Sequence, residues 1–300
     1  MVEMEWLEIS VTAGYEAAEA VADVLSRYAY RGVAIEAGPE GWDADQVIVR
    51  AYLPADEHVS ANKQRIEEAL GHLNQILPVS TPGFRTIAEK DWAEAWKERL
   101  TVMHIGRRIV ICPTWQNYSP GIDEVLIRLD PGMAFGSGLH PSTRMCLMKL
   151  EELVRPGMRV LDMGTGSGIL AIAAAKLGAG CVVAVDNDPV AVQVARENVM
   201  ANGVSDVVRV IHGSLAEVQG VYHIVVANIL ANVIVDMVRN GLADRVLAGG
   251  SLIAAGLIQG QETETGMALE QHGLRLAERC QIDDWVCLVA GRGSDDPVRG

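Results

Sequence analysis

Apolar and polar positions alternate along the chain with two different periods, and the period identifies the elements. Leu7, Ile9 and Val11 alternate with polar neighbours, the pattern of a strand buried on one face. Val21, Val24, Leu25 and Tyr28 then recur at i, i+3, i+4 and i+7, the stripe of an amphipathic helix. GVAIEA and QVIVRAYLP predict two more strands, the second with Val47, Val49, Ala51 and Leu53 on one face. Ile66, Ala69, Leu70, Leu73 and Leu77 mark a second helix, and GFRTIAE a closing strand. The order β-α-β-β-α-β over residues 1–88 is that of a ferredoxin-like α+β domain. It contains no catalytic constellation, so it reads as a substrate-recognition module, with a purely structural appendage as the alternative.

The next stretch, DWAEAWKERL, predicts a short helix with Asp91 as its cap and Trp92 and Trp96 on one face, packing anchors in a helical linker over 89–103. RRIVICP and EVLIRLD are strand-like runs separated by a polar loop. From Leu150 onward strand and helix alternate, with strands expected near 159–163, 181–186, 207–211, 223–228 and 251–255. Helices rich in Ala, Leu and Val fill the gaps, which implies a parallel sheet covered on both faces. LRLAERCQ and WVCLVAG are joined by IDD, too short for a helical crossover, so they predict an antiparallel hairpin. Residues 104–293 thus form a doubly wound α/β domain, and 294–300 a frayed polar tail.

The densest chemistry lies at the first strand of that domain. VLDMGTGSGI runs from an apolar strand into a glycine turn and a helix, and the next strand ends in Asp186. A dinucleotide fingerprint needs G-x-G-x-x-G, whereas here the glycines are Gly164, Gly166 and Gly168, with Ile169 where the last would stand. The Asp162–Gly164–Gly166–Gly168 pattern resembles motif I of class I S-adenosylmethionine (SAM) methyltransferases, in which the loop meets the amino-acid end of the cofactor. The glycines permit close backbone approach, and the following helix N-terminus favours a carboxylate. Asp162 is placed to attract an ammonium group. Asp186 offers two oxygens to the ribose hydroxyls, and Asp188-Pro189 reads as a helix cap and first turn, although the two aspartates could exchange roles. His212, Gly213, Ser214 and Leu215 lie where an adenine pocket would form. A hairpin closing such a sheet is similar to the seven-stranded methyltransferase core.

Asn228 ends HIVVANIL at the carboxyl edge of the sheet, beside the glycine loop at the topological switch point. An amide there can orient an amine lone pair; capping the following helix is the structural alternative. Asn228-Ile229-Leu230-Ala231 departs from the Asn-Pro-Pro-Tyr of glutamine and adenine methylases. DPGMAFGSGLHPSTRMCL adds a glycine-rich segment that reads as a lid, with Ser142 or Thr143 suited to cap the next helix, Pro141 to start it, and His140 as a structural hydrogen-bonder.

Bulk properties narrow the function classes. Thirty-nine acids against twenty-five bases give a net charge of −14, poor for sequence-independent nucleic-acid binding and suited to a basic protein partner. Five cysteines form no CxxC pair and sit among apolar neighbours, which suggests buried thiols in a reducing cytosol and no metal site. No apolar run is long enough to span a bilayer, and MVEMEWLEIS carries acids where a signal peptide needs bases. A cytoplasmic protein is expected, and two domains without repeats make a monomer the simplest state.

DPGMAFGSGLHPST, VLDMGTGSGILAIAAAKLGA, VDNDP and VVANIL occur in the order and spacing of the methyltransferases of large-subunit ribosomal protein eleven, and EKDWAEAWKERL and RRIVICPTW resemble that family's connector. Ser137 and Ser142 stand where threonine is common in that family, and Met163 within motif I, without change of chemical character. The resemblance implies SAM as cofactor, Thr143, Gly164, Asp186 and Asn228 as its binding set, and methylation of lysine side chains and of the terminal amine of that basic protein. Reaching several amines from one site would call for a hinge at 88–103. A SAM enzyme acting on RNA or a small molecule, a non-catalytic ribosome-binding factor with this fold, and a NAD-dependent oxidoreductase are the competing readings.

Overall fold

The computed structural model describes residues 5–29, 33–37, 46–56, 58–88, 102–129 and 140–294. The expected linker helix around Asp91, Trp92 and Trp96, the hinge, the lid glycines and the terminal tail lie outside them. The chain forms two compact units, Met1–Leu100 and Thr101–Gly300.

In the first unit β1 (Glu5–Gly14), α1 (Tyr15–Ser26), β2 (Val33–Ala37), β3 (Gln46–Pro54), α2 (Val59–Leu73) and β4 (Gly83–Ala88) follow the expected order. The sheet runs β2-β3-β1-β4 with all neighbours antiparallel, the split βαβ arrangement of a ferredoxin-like fold. The period-two positions Leu7, Ile9, Val11, Val47, Val49, Ala51 and Leu53 bury one face against Val21 and Leu25 of α1 and Ile66 and Leu70 of α2. Leu77 of the predicted stripe falls beyond the end of α2. On the other face of β1, Glu8 is almost fully buried; it accepts from Arg50 Nη1 at 2.9 Å, Tyr52 Oη at 3.2 Å and Arg85 Nη2 at 3.2 Å. A buried carboxylate of this kind is tolerated because its lone pairs are taken by charged or hydroxyl donors.

The second unit opens with a small sheet of β5 (Met103–Ile105), β6 (Ile109–Cys112) and β7 (Val125–Arg128). Three residues of β5 are too few to show a period, so it has no signature in the sequence. A helix, α3 (Pro141–Leu153), precedes the large sheet. The sheet's elements are β8 (Arg159–Met163), α4 (Ile169–Lys176), β9 (Cys181–Asp186), α5 (Pro189–Ala201), β10 (Val208–His212), β11 (Tyr222–Asn228), α6 (Ala231–Met237), β12 (Val246–Ile258), α7 (Glu262–Gln271), β13 (Arg275–Ile282) and β14 (Trp285–Gly291). Strand order is β10-β9-β8-β11-β12-β14-β13, the first five parallel and the last three joined antiparallel, as the two-residue turn Asp283-Asp284 requires.

Alternate residues of the central strands enter different cores. Val160, Val182, Ala184, Ile224 and Val226 pack with α3 and α4, while Leu161, Val185, Val225 and Ala227 pack with α6 and α7. Both faces are therefore dry, which is why these strands read as nearly continuous apolar runs. Asn202, at the end of α5, donates to Arg128 O at 2.7 Å and accepts from Arg128 N at 2.8 Å, tying β7 of the small sheet to the end of α5. β12 begins earlier than expected because Leu247–Gly250 carries no alternation.

Cys112, Cys146 and Cys287 are buried as expected, but Cys181, at the first position of β9, is exposed and Cys280 is half-buried. An apolar neighbourhood in sequence does not bury the end residue of a strand. Among the described residues no helix is long and apolar enough to cross a membrane.

Candidate functional site: the carboxyl edge between β8 and β11

β8 ends at Met163 and β11 begins only at Tyr222, yet the two strands are neighbours, so the turns that leave them open side by side. This is the point where a doubly wound sheet reverses its order and leaves a crevice.

The glycine loop after β8 is held from every side. Gly164 N and Thr165 N donate to Val185 O at 2.8 and 3.0 Å, and Asn198 of α5 donates from Nδ2 to Ser167 O at 2.8 Å. Gly164, Gly166 and Gly168 have φ of 71°, 53° and 82°, so the loop turns through left-handed conformations that glycine adopts without strain.

Asp162 sits beneath this loop, 1% exposed. Its Oδ2 accepts from Thr165 Oγ1 at 2.6 Å and from Ala171 N, in the first turn of α4, at 3.2 Å. It therefore substitutes for the cap that Gly168 cannot supply. Its Oδ1 is buried and has no hydrogen-bond partner among the described residues. Burial pushes the carboxyl up to about 7, against the two hydrogen bonds that pull it down and with the Asp186 charge adding to the rise.

Asp186 ends β9 half-buried, its Oδ2 accepting from Gly166 N at 2.9 Å and its Oδ1 from Asp188 N at 3.0 Å. Asp188 is the helix cap: its Oδ1 accepts from Val190 N at 2.8 Å, with Pro189 in the first turn of α5. The two aspartates thus have separate tasks, and only Asp186 touches the glycine loop. Asp188→Ala is expected to cost about 1 kcal/mol of stability, the usual worth of a cap, and to leave cofactor affinity within a factor of about two; paired denaturation and titration calorimetry check both. Behind Asp186, Gly213 N donates to Asp186 O at 2.9 Å, and Ser214 and Glu217 form a capping box, so the segment expected at the adenine pocket is tied to the end of β9.

Asn228 ends β11, and its Nδ2 donates to Thr143 Oγ1 of α3 at 3.1 Å. Two members of the binding set that the family resemblance implies, 85 positions apart, are thus in contact. Asn228 does not cap α6, whose cap position is Leu230 with no side-chain bond. The cap of α3 is neither Ser142 nor Thr143 but His140, whose Nδ1 accepts from Ser142 N at 3.3 Å and lies 2.6 Å from Ser142 Oγ. Pro141 occupies the first helical position as expected, which moves the cap one residue earlier than the hydroxyls. The His140 ring packs edge-on against Trp285 at 4.3 Å, which fixes where α3 begins and so where Thr143 points. His140 thus makes the structural hydrogen bond that a lone histidine suggests, as the cap of α3.

The family described as Ribosomal protein L11 methyltransferase (PrmA) matches residues 5–293. A ribosomal protein L11 methyltransferase of Chloroflexus aurantiacus is 45% identical, covering 96% of this chain and 98% of its own. One from Pelotomaculum thermopropionicum is 44% identical, covering 96% and 99%. The crystal structure of a ribosomal protein L11 methylase from Lactobacillus delbrueckii subsp. bulgaricus, 36% identical, superposes on 65% of this chain and 100% of that one with a TM-score of 0.60. With sequence agreement along nearly its whole length and a glycine loop, Asp186 and Asn228 gathered at one sheet edge, the chain belongs to the ribosomal protein L11 methyltransferase family.

Proposed function

We propose that this protein transfers methyl groups from SAM to amines of large-subunit ribosomal protein L11, on lysine side chains and on the N-terminal amine. The observation that carries the reading is the Asn228–Thr143 hydrogen bond, which holds the Asn228 amide in one rotation at the end of β11, the strand beside β8 and its glycine loop.

The residues fit the cofactor. Gly164, Gly166 and Gly168 present bare backbone to its amino-acid end, and the unpartnered Oδ1 of Asp162 is a buried acceptor of the kind an ammonium group completes. Asp186 would take the ribose hydroxyls, and Thr143 and Asn228 would hold the end of the cofactor that carries the methyl. When bound, SAM supplies an activated methyl on a sulfonium, a good leaving group. The chain's part is therefore positioning and exclusion of water. Because Asn228 donates its amide hydrogen to Thr143, its Oδ1 remains to accept from the incoming amine and turn the lone pair inward. A lysine, with an ordinary pKa of about 10.4, must shed a proton first, and a dry site promotes this; an α-amine, at about 8, needs less help. We assign no side chain as an obligatory base.

The net charge of −14 favours a basic protein over RNA as substrate, and we read the N-terminal unit (1–88) as the L11-recognition domain of a cytoplasmic monomer. Incubation with labelled SAM and a ribosomal extract tests the reading. Label confined to L11, and lost in Asn228→Ala, supports it; label in RNA alone sinks the protein substrate.

The Asp162 environment makes a further prediction. Its folded pKa of about 7 stands above the unfolded value, so the stability it confers is fully present below about pH 4 and is lost as pH rises through about 7. Asp162→Asn keeps an oxygen for Thr165 and Ala171 and removes the charge. Each tenfold change in proton affinity between the folded and unfolded chain is worth about 1.4 kcal/mol, from which the cost of a buried amide hydrogen is deducted. The cofactor-free variant is therefore expected to be more stable than the parent by about 2 kcal/mol at pH 8 and not at pH 4. SAM affinity falls in the same variant. Denaturation at the two pH values checks this; equal loss of stability at both would refute it.

A further inference from the structure

Ile229, the residue after Asn228, is gripped by two glycines that come from different parts of the sheet. A Cβ added to Gly164 would overlap Ile229 Cγ2, the methyl that branches from Cβ, so the glycine loop leaves room for that methyl. A Cβ added to Gly256 would stand 2.5 Å from Ile229 O and 3.1 and 3.2 Å from its C and N, so β12 leaves room for the Ile229 backbone. Gly256 has φ 81°, in the stretch where the register of β12 against β14 shifts between Ala254 and Leu257. That irregularity falls one residue beyond Ala255, the partner of Asn228 in the β11–β12 ladder. The strand thus deviates where the turn after Asn228 needs space.

The consequence reaches Asn228. Among the described residues the side chain of Asn228 has one hydrogen bond, to Thr143, which sets its rotation; the place of its Cα is set by the chain on either side. On one side that chain is β11. On the other it is Ile229, whose backbone sits in the notch of β12 and whose branch sits in the notch of the loop. The loop itself does not depend on Ile229 for its shape, being tied to Val185, Asp186, Asp162 and Asn198. Leu230, the next residue, is 64% exposed and gives no such hold.

We propose that Ile229 is a positioning residue, a wedge seated between Gly164 and Gly256 that fixes the distance from the Asn228 amide to the cofactor loop. The proposal rests on the reading that the loop takes SAM and that Asn228 meets the acceptor amine.

The shape of the wedge gives a test that separates positioning from packing. Ile229→Val keeps the branch at Cβ and loses only the terminal methyl; Ile229→Leu keeps the volume and loses the branch. Two properties are read for each: the side-chain amide resonances of Asn228 in isotope-labelled, cofactor-free protein, assigned by their loss in Asn228→Ala, and kcat with L11 alongside the dissociation constant for SAM. In Ile229→Leu the amide resonances are expected to shift and their solvent exchange to quicken about 10-fold, as for loss of one hydrogen bond. Its kcat is expected to fall about 10- to 100-fold, as for misplacement by an ångström or less, with SAM affinity changed less than about threefold. Ile229→Val retains the parent resonances and restores most of the rate.

If Ile229→Leu matches the parent in both properties, or if Ile229→Val is the more damaged of the two, the wedge is ordinary packing and the proposal is overturned. If the resonances respond as expected while the parent protein methylates no L11, the proposed function falls and the positioning role stands. Gly256→Ala supplies an independent check of the same seat: it is expected to reproduce the Ile229→Leu resonances, and an unchanged Asn228 in a folded Gly256→Ala protein counts against the seat in β12.

Discussion

Asp186→Ala is expected to weaken SAM binding by about 100-fold or more while the protein stays folded. Hydrogen bonds to a charged acceptor are worth about 1.5–3 kcal/mol each, and on our assignment this carboxylate takes two from the ribose. Losing both removes about 3–6 kcal/mol, and each 1.4 kcal/mol is tenfold in affinity. The same side chain also accepts from Gly166 N and Asp188 N, so its removal loosens the glycine loop, which on the same assignment receives the other end of the cofactor. Both contributions act in one direction. Titration calorimetry of the parent, Asp186→Ala and the capping control Asp188→Ala reads the result. A loss below tenfold in Asp186→Ala, or an equal loss in Asp188→Ala, would move the ribose contact away from Asp186.

Asn228→Ala is expected to lower kcat by about 100-fold or more, the cost of losing a group that aligns the reactants, with SAM affinity reduced by less than about tenfold. Alanine leaves Thr143 Oγ1 without its donor and the amine without its acceptor. Thr143→Val is the informative companion. It keeps the shape of threonine and removes the oxygen that fixes the Asn228 amide, so the amide can turn its NH₂ toward the amine. We expect a fall of about tenfold in kcat, near the worth of one hydrogen bond, and no additional loss when it is combined with Asn228→Ala, because the two act as a unit. Single-turnover rates with purified L11 measure all three variants. If the losses simply add, Thr143 acts independently of Asn228.

Much of this arrangement is legible in the sequence because local rules govern it. Leu7, Ile9 and Val11 announce a half-buried strand, and they are the residues that bury against α1 and α2. The Asp283-Asp284 turn is too short for anything but a hairpin, and a hairpin is present. Asp188-Pro189 is a cap and first turn in sequence and structure alike. What the sequence does not reveal depends on the third dimension. Thr143 and Asn228 meet across 85 residues, and no period or spacing encodes the contact. The notches at Gly164 and Gly256 look like any other glycine until the turn after Asn228 is laid across them. His140 as cap of α3 is hidden by two better-known capping residues beside it, since the presence of Pro141 at the first helical position decides which residue precedes the helix. The Glu8–Arg50 pair is likewise a cross-strand contact between two charges that, read singly, would be placed on the surface.

Methyl transfer from SAM to L11 at the Asn228 edge of the sheet changes the mass of L11 itself. The most direct measurement is the intact mass of purified L11 from the same organism after incubation with the protein and SAM, followed by peptide mapping of the gain. Methyl transfer at this edge predicts a ladder of added methyl groups on lysine side chains and the N-terminal amine, absent without SAM and about 100-fold or more slower in Asn228→Ala. L11 that keeps its mass while the protein binds SAM, or methylation that proceeds undiminished in Asn228→Ala, would contradict it.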